Sequence, residues 1–199
     1  MMSEVGNRAR IAIEEPSLPC LRPNLIVLLS GSSAIALVSF ISLPWPLAIA
    51  STILGLLMIA GTDVDARTFL LPDVVTYGAT ACGILTAPIL HTIDPWSSLG
   101  AACLRAAGTA LLFLGLRQAY TSLRGREGLG LGDVKLAAAV GAWLPVEAIP
   151  YCFGLASTAA LISVAVRRRG EAIENMKLPF GAFLCPALWL VFFVYLFAS

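Results

Sequence analysis

The sequence predicts an all-α fold: a polytopic integral membrane helical bundle of about seven transmembrane helices, with six as the alternative. Three observations lead there. Of the 199 residues, 58% are hydrophobic and 13% are charged, against roughly 25% charged in soluble domains. The mean hydropathy is +0.87, more apolar surface than a soluble chain of this length has core to hide. Apolar runs also recur along nearly the whole chain, broken by short loops that carry proline, glycine and charge.

The runs lie at 25–43, 46–62, 74–91, 98–117, 134–145, 149–166 and 180–198, each judged against the ~20 residues that a helix needs to cross a bilayer. Run one begins after Arg8, Arg10 and Arg22 and is too late and too long for a signal peptide, so it is expected to be an uncleaved first span. Run five is short and is divided from run six by Pro145 and Pro150. Neither an internal repeat nor a low-complexity segment interrupts the series. The expected organisation is therefore a cytoplasmic amino-terminal segment, 1–23, and one membrane-embedded domain, 24–199.

Charge predicts the sidedness. Arg8, Arg10 and Arg22 precede run one, and Arg67 follows run two. Arg117, Arg124, Arg126 and Lys135 surround the connection between runs four and five, and Arg167, Arg168, Arg169 and Lys177 lie between runs six and seven. Seven crossings put all of them on one side, which the excess of Lys and Arg marks as cytoplasmic. The opposite loops, Ser42–Trp45, His91–Ser97 and Leu144–Pro150, contain neither residue type. Arg105 is the exception, inside run four, where it either snorkels or pairs with a carboxylate.

The net charge of +1 says nothing about nucleic acid, and with no basic, aromatic-rich patch none is expected as a partner; membrane lipid is the expected surrounding. Cys20, Cys82, Cys103, Cys152 and Cys185 are scattered singly with no C-x-x-C pair, and His91 is the one histidine. No metal site and no cofactor is expected from them. No pattern in the chain bears on its oligomeric state.

Two acidic stretches at the predicted cytoplasmic boundary call for explanation, because carboxylates at membrane depth are costly. One is "GTDVDARTFLLPDVVT", Gly61 to Thr76; the other is "GLGLGDVKLAAAVGAWL", Gly128 to Leu144. Asp73, just after Pro72, suits a first helical turn. Asp133 would serve as a helix N-cap, but a cap does not require Gly128, Gly130 and Gly132 ahead of it. Asp63 and Asp65 end a run, where the helix dipole disfavours negative charge. Two carboxylates from separate helices at one aqueous face fit an aspartic protease: like charges held close share a proton, one group activating water and the other protonating the substrate.

The G-x-G-D of Gly130–Asp133 in a polytopic chain is the signature of the GxGD membrane aspartic proteases. "GLGDVKLAAAVGAWL" closely resembles the second catalytic motif of the type IV prepilin peptidases. Their first motif has an Asp seven residues before a Pro, then Asp or Asn, and soon Thr. Counting back from Pro72 in "LLPDVVT" gives Asp65 rather than Asp63. "KLPFGAFL", Lys177 to Leu184, resembles the family's P-F-G-x-F-L stretch. The resemblance runs from about Ile41 to the carboxyl terminus.

It implies an aspartic endopeptidase of the bacterial inner membrane with Asp65 and Asp133 as the catalytic pair. The substrates it implies are prepilins or pseudopilins of type IV pilus or type II secretion systems, cut after a short basic leader at the cytoplasmic face. Gly130, Gly132, Pro179, Phe180 and Gly181 are the expected substrate-binding positions. Lys135 is expected to anchor a helix start at phosphate level. Longer members carry an insert with paired C-x-x-C motifs and N-methylate the new terminus. This chain resembles the short form without it, and its soluble stretches, Met1–Pro23, Gln118–Gly132 and Arg167–Leu178, are too short to bury a core, so N-methylation is not expected. The alternative reading is a proton-coupled transporter or channel with Asp65 and Asp133 as relay carboxylates.

Overall fold

Helices account for nearly all of the computed structural model, which describes residues 23–90, 94–125, 128–167 and 179–198. The 1–22 segment with its three arginines and Cys20, then His91, Arg126, Arg168, Arg169 and Lys177, lie outside the described residues. In order the elements are α1 (Leu25–Ser42), α2 (Trp45–Thr68), α3 (Asp73–Leu90), α4 (Pro95–Arg124), α5 (Leu131–Trp143), α6 (Ile149–Arg167) and α7 (Gly181–Ala198).

Local sequence sets their ends. The Asn24 side chain accepts the Ile26 N–H and starts α1; Asp94 does the same for α4 at Ser97, with Pro95 in the first turn. Gly125 closes α4 in the left-handed conformation, φ +65°. Phe69 closes α2 with φ +56°, a region that bulky residues seldom adopt.

Six of the helices, all but α5, are long and apolar enough to cross a membrane. With 13 residues, α5 reaches about 20 Å at 1.5 Å per residue, short of a ~30 Å hydrocarbon core. It starts three residues ahead of the predicted run, so Asp133 and Lys135 lie inside its first two turns. Its far end stops midway along α3, where the Trp143 indole N–H donates to the Ala79 carbonyl at 2.7 Å. Leu144–Ala148 continue the passage, for Glu147 and Ala148 share a cavity with Val194, Tyr195 and Ala198 at the end of α7.

Although shortest, α5 is the most enclosed element. Val134, Leu136, Ala137 and every residue from Ala139 to Trp143 are buried, packed mainly by α4 and α3. α2 packs against α1, α7 and α3. The outward faces carry large apolar side chains such as Leu104, Leu111, Val74 and Leu161, as lipid contact requires.

The helix ends sort by side. The Asn24 N–H donates to Asp63 Oδ2 at 2.7 Å, Lys135 pairs with Asp73, and Gly181 abuts Leu71 and Asp65. One end of the bundle therefore gathers the starts of α1, α3, α5 and α7 with the end of α2, and it holds Arg67 and Lys135.

Candidate active site

Asp65 stands in the last turn of α2, four residues before the left-handed Phe69, whose N–H bonds the Asp65 carbonyl at 2.9 Å. Only 4% of Asp65 is exposed. Its Oδ2 accepts the backbone N–H of Ala182 at 2.7 Å. That donor is in the first turn of α7, where N–H groups point at a negative charge, and it is shared with the Pro179 carbonyl at 3.2 Å.

Asp133 occupies the third position of α5, and Gly130, not Asp133, is the N-cap. The acid reaches back to the Gly130 backbone, one half of a capping box. The two carboxyls of Asp65 and Asp133 are like charges close enough to repel one another, which disfavours ionising both at once. Asp65 and Asp133 thus come from separate helices, lie within electrostatic reach, and line one cavity of about 730 Å³.

Gly130, Gly132, Pro179 and Phe180 line the same cavity. Gly181 lies behind it: a Cβ there would overlap Leu71 Cδ1 and stand 2.9 Å from Asp65 Oδ2.

The three alternating glycines have separate reasons. A Cβ on Gly128 would overlap the Tyr120 ring; on Gly130 it would lie 3.3 Å from Asp133 Oδ2; on Gly132 it would lie 3.2 Å from Leu71 Cβ. Neither Gly130 nor Gly132 has positive φ. Close approach, rather than left-handed backbone, is what glycine supplies here.

Asp63 faces elsewhere. Its carboxylate pairs with Arg67 and accepts the Asn24 N–H, and it borders a second cavity between α1, α2 and α7. Asp63→Asn should therefore loosen the α1–α2 tie, worth about 1–2 kcal/mol for a partly exposed charged hydrogen bond, without removing a carboxylate from the Asp65–Asp133 cavity. Thermal unfolding and activity of the purified variant would check this, and an inactive, fully folded Asp63→Asn would contradict it.

Lys135 does more than mark the interface. Its ammonium contacts Asp73 Oδ1 at 2.5 Å and lies 5.0 Å from the Tyr77 ring centre. The ammonium donates that bond and the Asp73 carboxylate accepts it. Asp73 is both the first-turn acid of α3 and the partner of Lys135. Cys152 and Cys185 are buried and unbridged, small apolar fillers of the core. Among the described residues no group of three or more His, Cys, Asp or Glu is placed to hold a metal ion.

Phe69, Leu71, Tyr120 and Ala182 shape the site without a sequence signal. Phe69 is no usual left-handed residue, and Ala182 acts through its backbone.

The sequence profile of the type IV leader peptidase family matches residues 50–165. The chain is 30% identical over 167 residues to a prepilin leader peptidase/N-methyltransferase of Aeromonas hydrophila, covering 83% of this chain and 56% of that protein. It is 35% identical to the Dickeya chrysanthemi protein of the same name, over 80% of this chain and 55% of that one. The leader peptidase HopD of Salmonella typhimurium is 38% identical over 135 residues, 65% of this chain and 84% of HopD. The chain spans about half the length of the two longer relatives. No solved structure matches.

Proposed function

The chain belongs to the type IV leader peptidase family, and from that premise we propose that it is an aspartic endopeptidase cleaving the basic leader from prepilins or pseudopilins. The observation that carries the reading is the convergence of Asp65 and Asp133, from α2 and α5, on one cavity at one end of the bundle. In the singly protonated pair, the carboxylate takes a proton from water. The resulting hydroxide attacks the scissile carbonyl carbon, and the protonated partner donates to the carbonyl oxygen. Collapse of the tetrahedral intermediate breaks the C–N bond as the amine leaves with a proton from the pair.

The excess of Lys and Arg at the Asp65–Asp133 end favours the cytoplasmic face of the inner membrane, where a leader preceding an apolar helix would present its cleavage site. Gly130, Gly132, Pro179 and Phe180 are the proposed substrate contacts. Gly181 is proposed to serve substrate indirectly, through Asp65. Methyl transfer is not part of the proposal: the carboxyl pair accounts for hydrolysis alone.

Co-expression with a prepilin tests the proposal. Wild type should convert it to a faster-migrating product, and Asp133→Ala should not; processing by Asp133→Ala would refute the aspartic mechanism. A pH profile adds a second check. The active pair holds one proton, so kcat/KM should fall both when the pair gains a second proton and when it loses the one it has, with apparent values that belong to the pair. A level pH profile would contradict this.

A further inference from the structure

α5 ends inside the bundle, and its last carbonyls have no helical partner. In water such groups are solvated; at this depth each one left bare is expensive. α4 supplies partners. Arg105 Nε donates to the Gly141 carbonyl at 3.2 Å, and one turn further in Thr109 Oγ1 adds a second bond, 2.8 Å, to the Ala137 carbonyl, which is already within the helix. Gly141 allows the approach, because a Cβ there would overlap the Arg105 carbonyl oxygen and Thr109 Oγ1. On the other side Trp143 bonds Ala79, and Gly83 leaves room for its ring. Arg105 therefore places a cation and a donor at the negative end of the α5 dipole, while the opposite end of the same 13-residue helix holds Asp133.

We infer that Arg105 is a positioning residue: it caps the membrane-buried carboxyl end of α5 and fixes the register of that helix, and so of Asp133 against Asp65. The kinetic half of this inference rests on the proposed leader cleavage; the structural half does not.

The test uses the full-length protein with Arg105→Leu, Arg105→Gln and Arg105→Lys. Hydrogen exchange over Ala137–Leu144 reads the cap directly. Arg105→Leu should speed exchange there by about tenfold or more, and Arg105→Gln, which keeps an N–H donor without charge, should stay within about threefold of wild type. On a prepilin, kcat of Arg105→Leu should fall by about tenfold with KM unchanged, and Arg105→Gln should restore most of it. Wild-type exchange in Arg105→Leu would overturn the cap. So would Arg105→Gln and Arg105→Lys both exchanging as fast as Arg105→Leu, since each keeps an N–H donor. Faster exchange with unchanged kcat would overturn the positioning role. Should wild type itself fail to cleave, the proposed function falls, while the exchange result still decides the cap.

Discussion

Asp133→Asn and Asp65→Asn are each expected to lower leader cleavage by roughly 10³-fold or more, because general acid–base catalysis is lost with either carboxyl. The fold should survive both. Asparagine keeps the size of the side chain and an acceptor oxygen, so it still takes the Ala182 N–H at position 65 and still reaches the Gly130 backbone at position 133. Neutralising either group also removes the repulsion within the pair, so accumulation in the membrane should match or exceed wild type. The measurement is the first-order rate of prepilin conversion at equal enzyme level. A rate above about one tenth of wild type in either variant is incompatible with shared-proton chemistry. Asp63→Asn belongs in the same experiment, since it lies two residues away on the same helix but is tied to Asn24 and Arg67 instead.

That Asp65 rather than Asp63 belongs with Asp133 was legible through the family resemblance, whose first motif sets an aspartate seven residues before Pro72. The physical counterpart is azimuth: two residues along a helix turn the side chain by about 200°, from the inner cavity to the α1 side. The six long apolar runs were legible because lipid-facing positions stay apolar whatever they pack against. Half-length α5 was less so. The 134–145 run reads as a short span, and only the bonds of its far end, to Arg105 and Ala79, show where the helix stops. The glycines of Gly128–Gly132 were visible, yet their reasons were not. Tyr120 and Leu71, which occupy the space, are distant in sequence or outside any motif. Least legible was the Ala182 donor. A backbone N–H leaves no trace in residue type, and α7 comes to Asp65 from 117 positions away.

Gly181 is where the sequence expectation and the structure diverge in a way kinetics can resolve. As a substrate contact, a larger side chain there would raise KM. The structure instead sets it against Asp65: a Cβ would overlap Leu71 Cδ1, stand 2.9 Å from Asp65 Oδ2 and stand 3.1 Å from Asp65 Cγ. The Leu71 contact is with the end of a side chain that can rotate away. The Asp65 contact has no such relief, since Oδ2 is held by the Ala182 N–H of the very next residue. Gly181→Ala should therefore displace the carboxylate by tenths of an ångström and cut kcat by about tenfold, and Gly181→Val, with its branched side chain, by about 10²-fold or more. KM should change little in both. Adding Leu71→Ala removes the first contact and leaves the second, so the Gly181→Ala, Leu71→Ala double variant should keep its kcat defect. Full recovery in that double variant would place the clash at Leu71. A rise in KM with unchanged kcat would return Gly181 to the substrate.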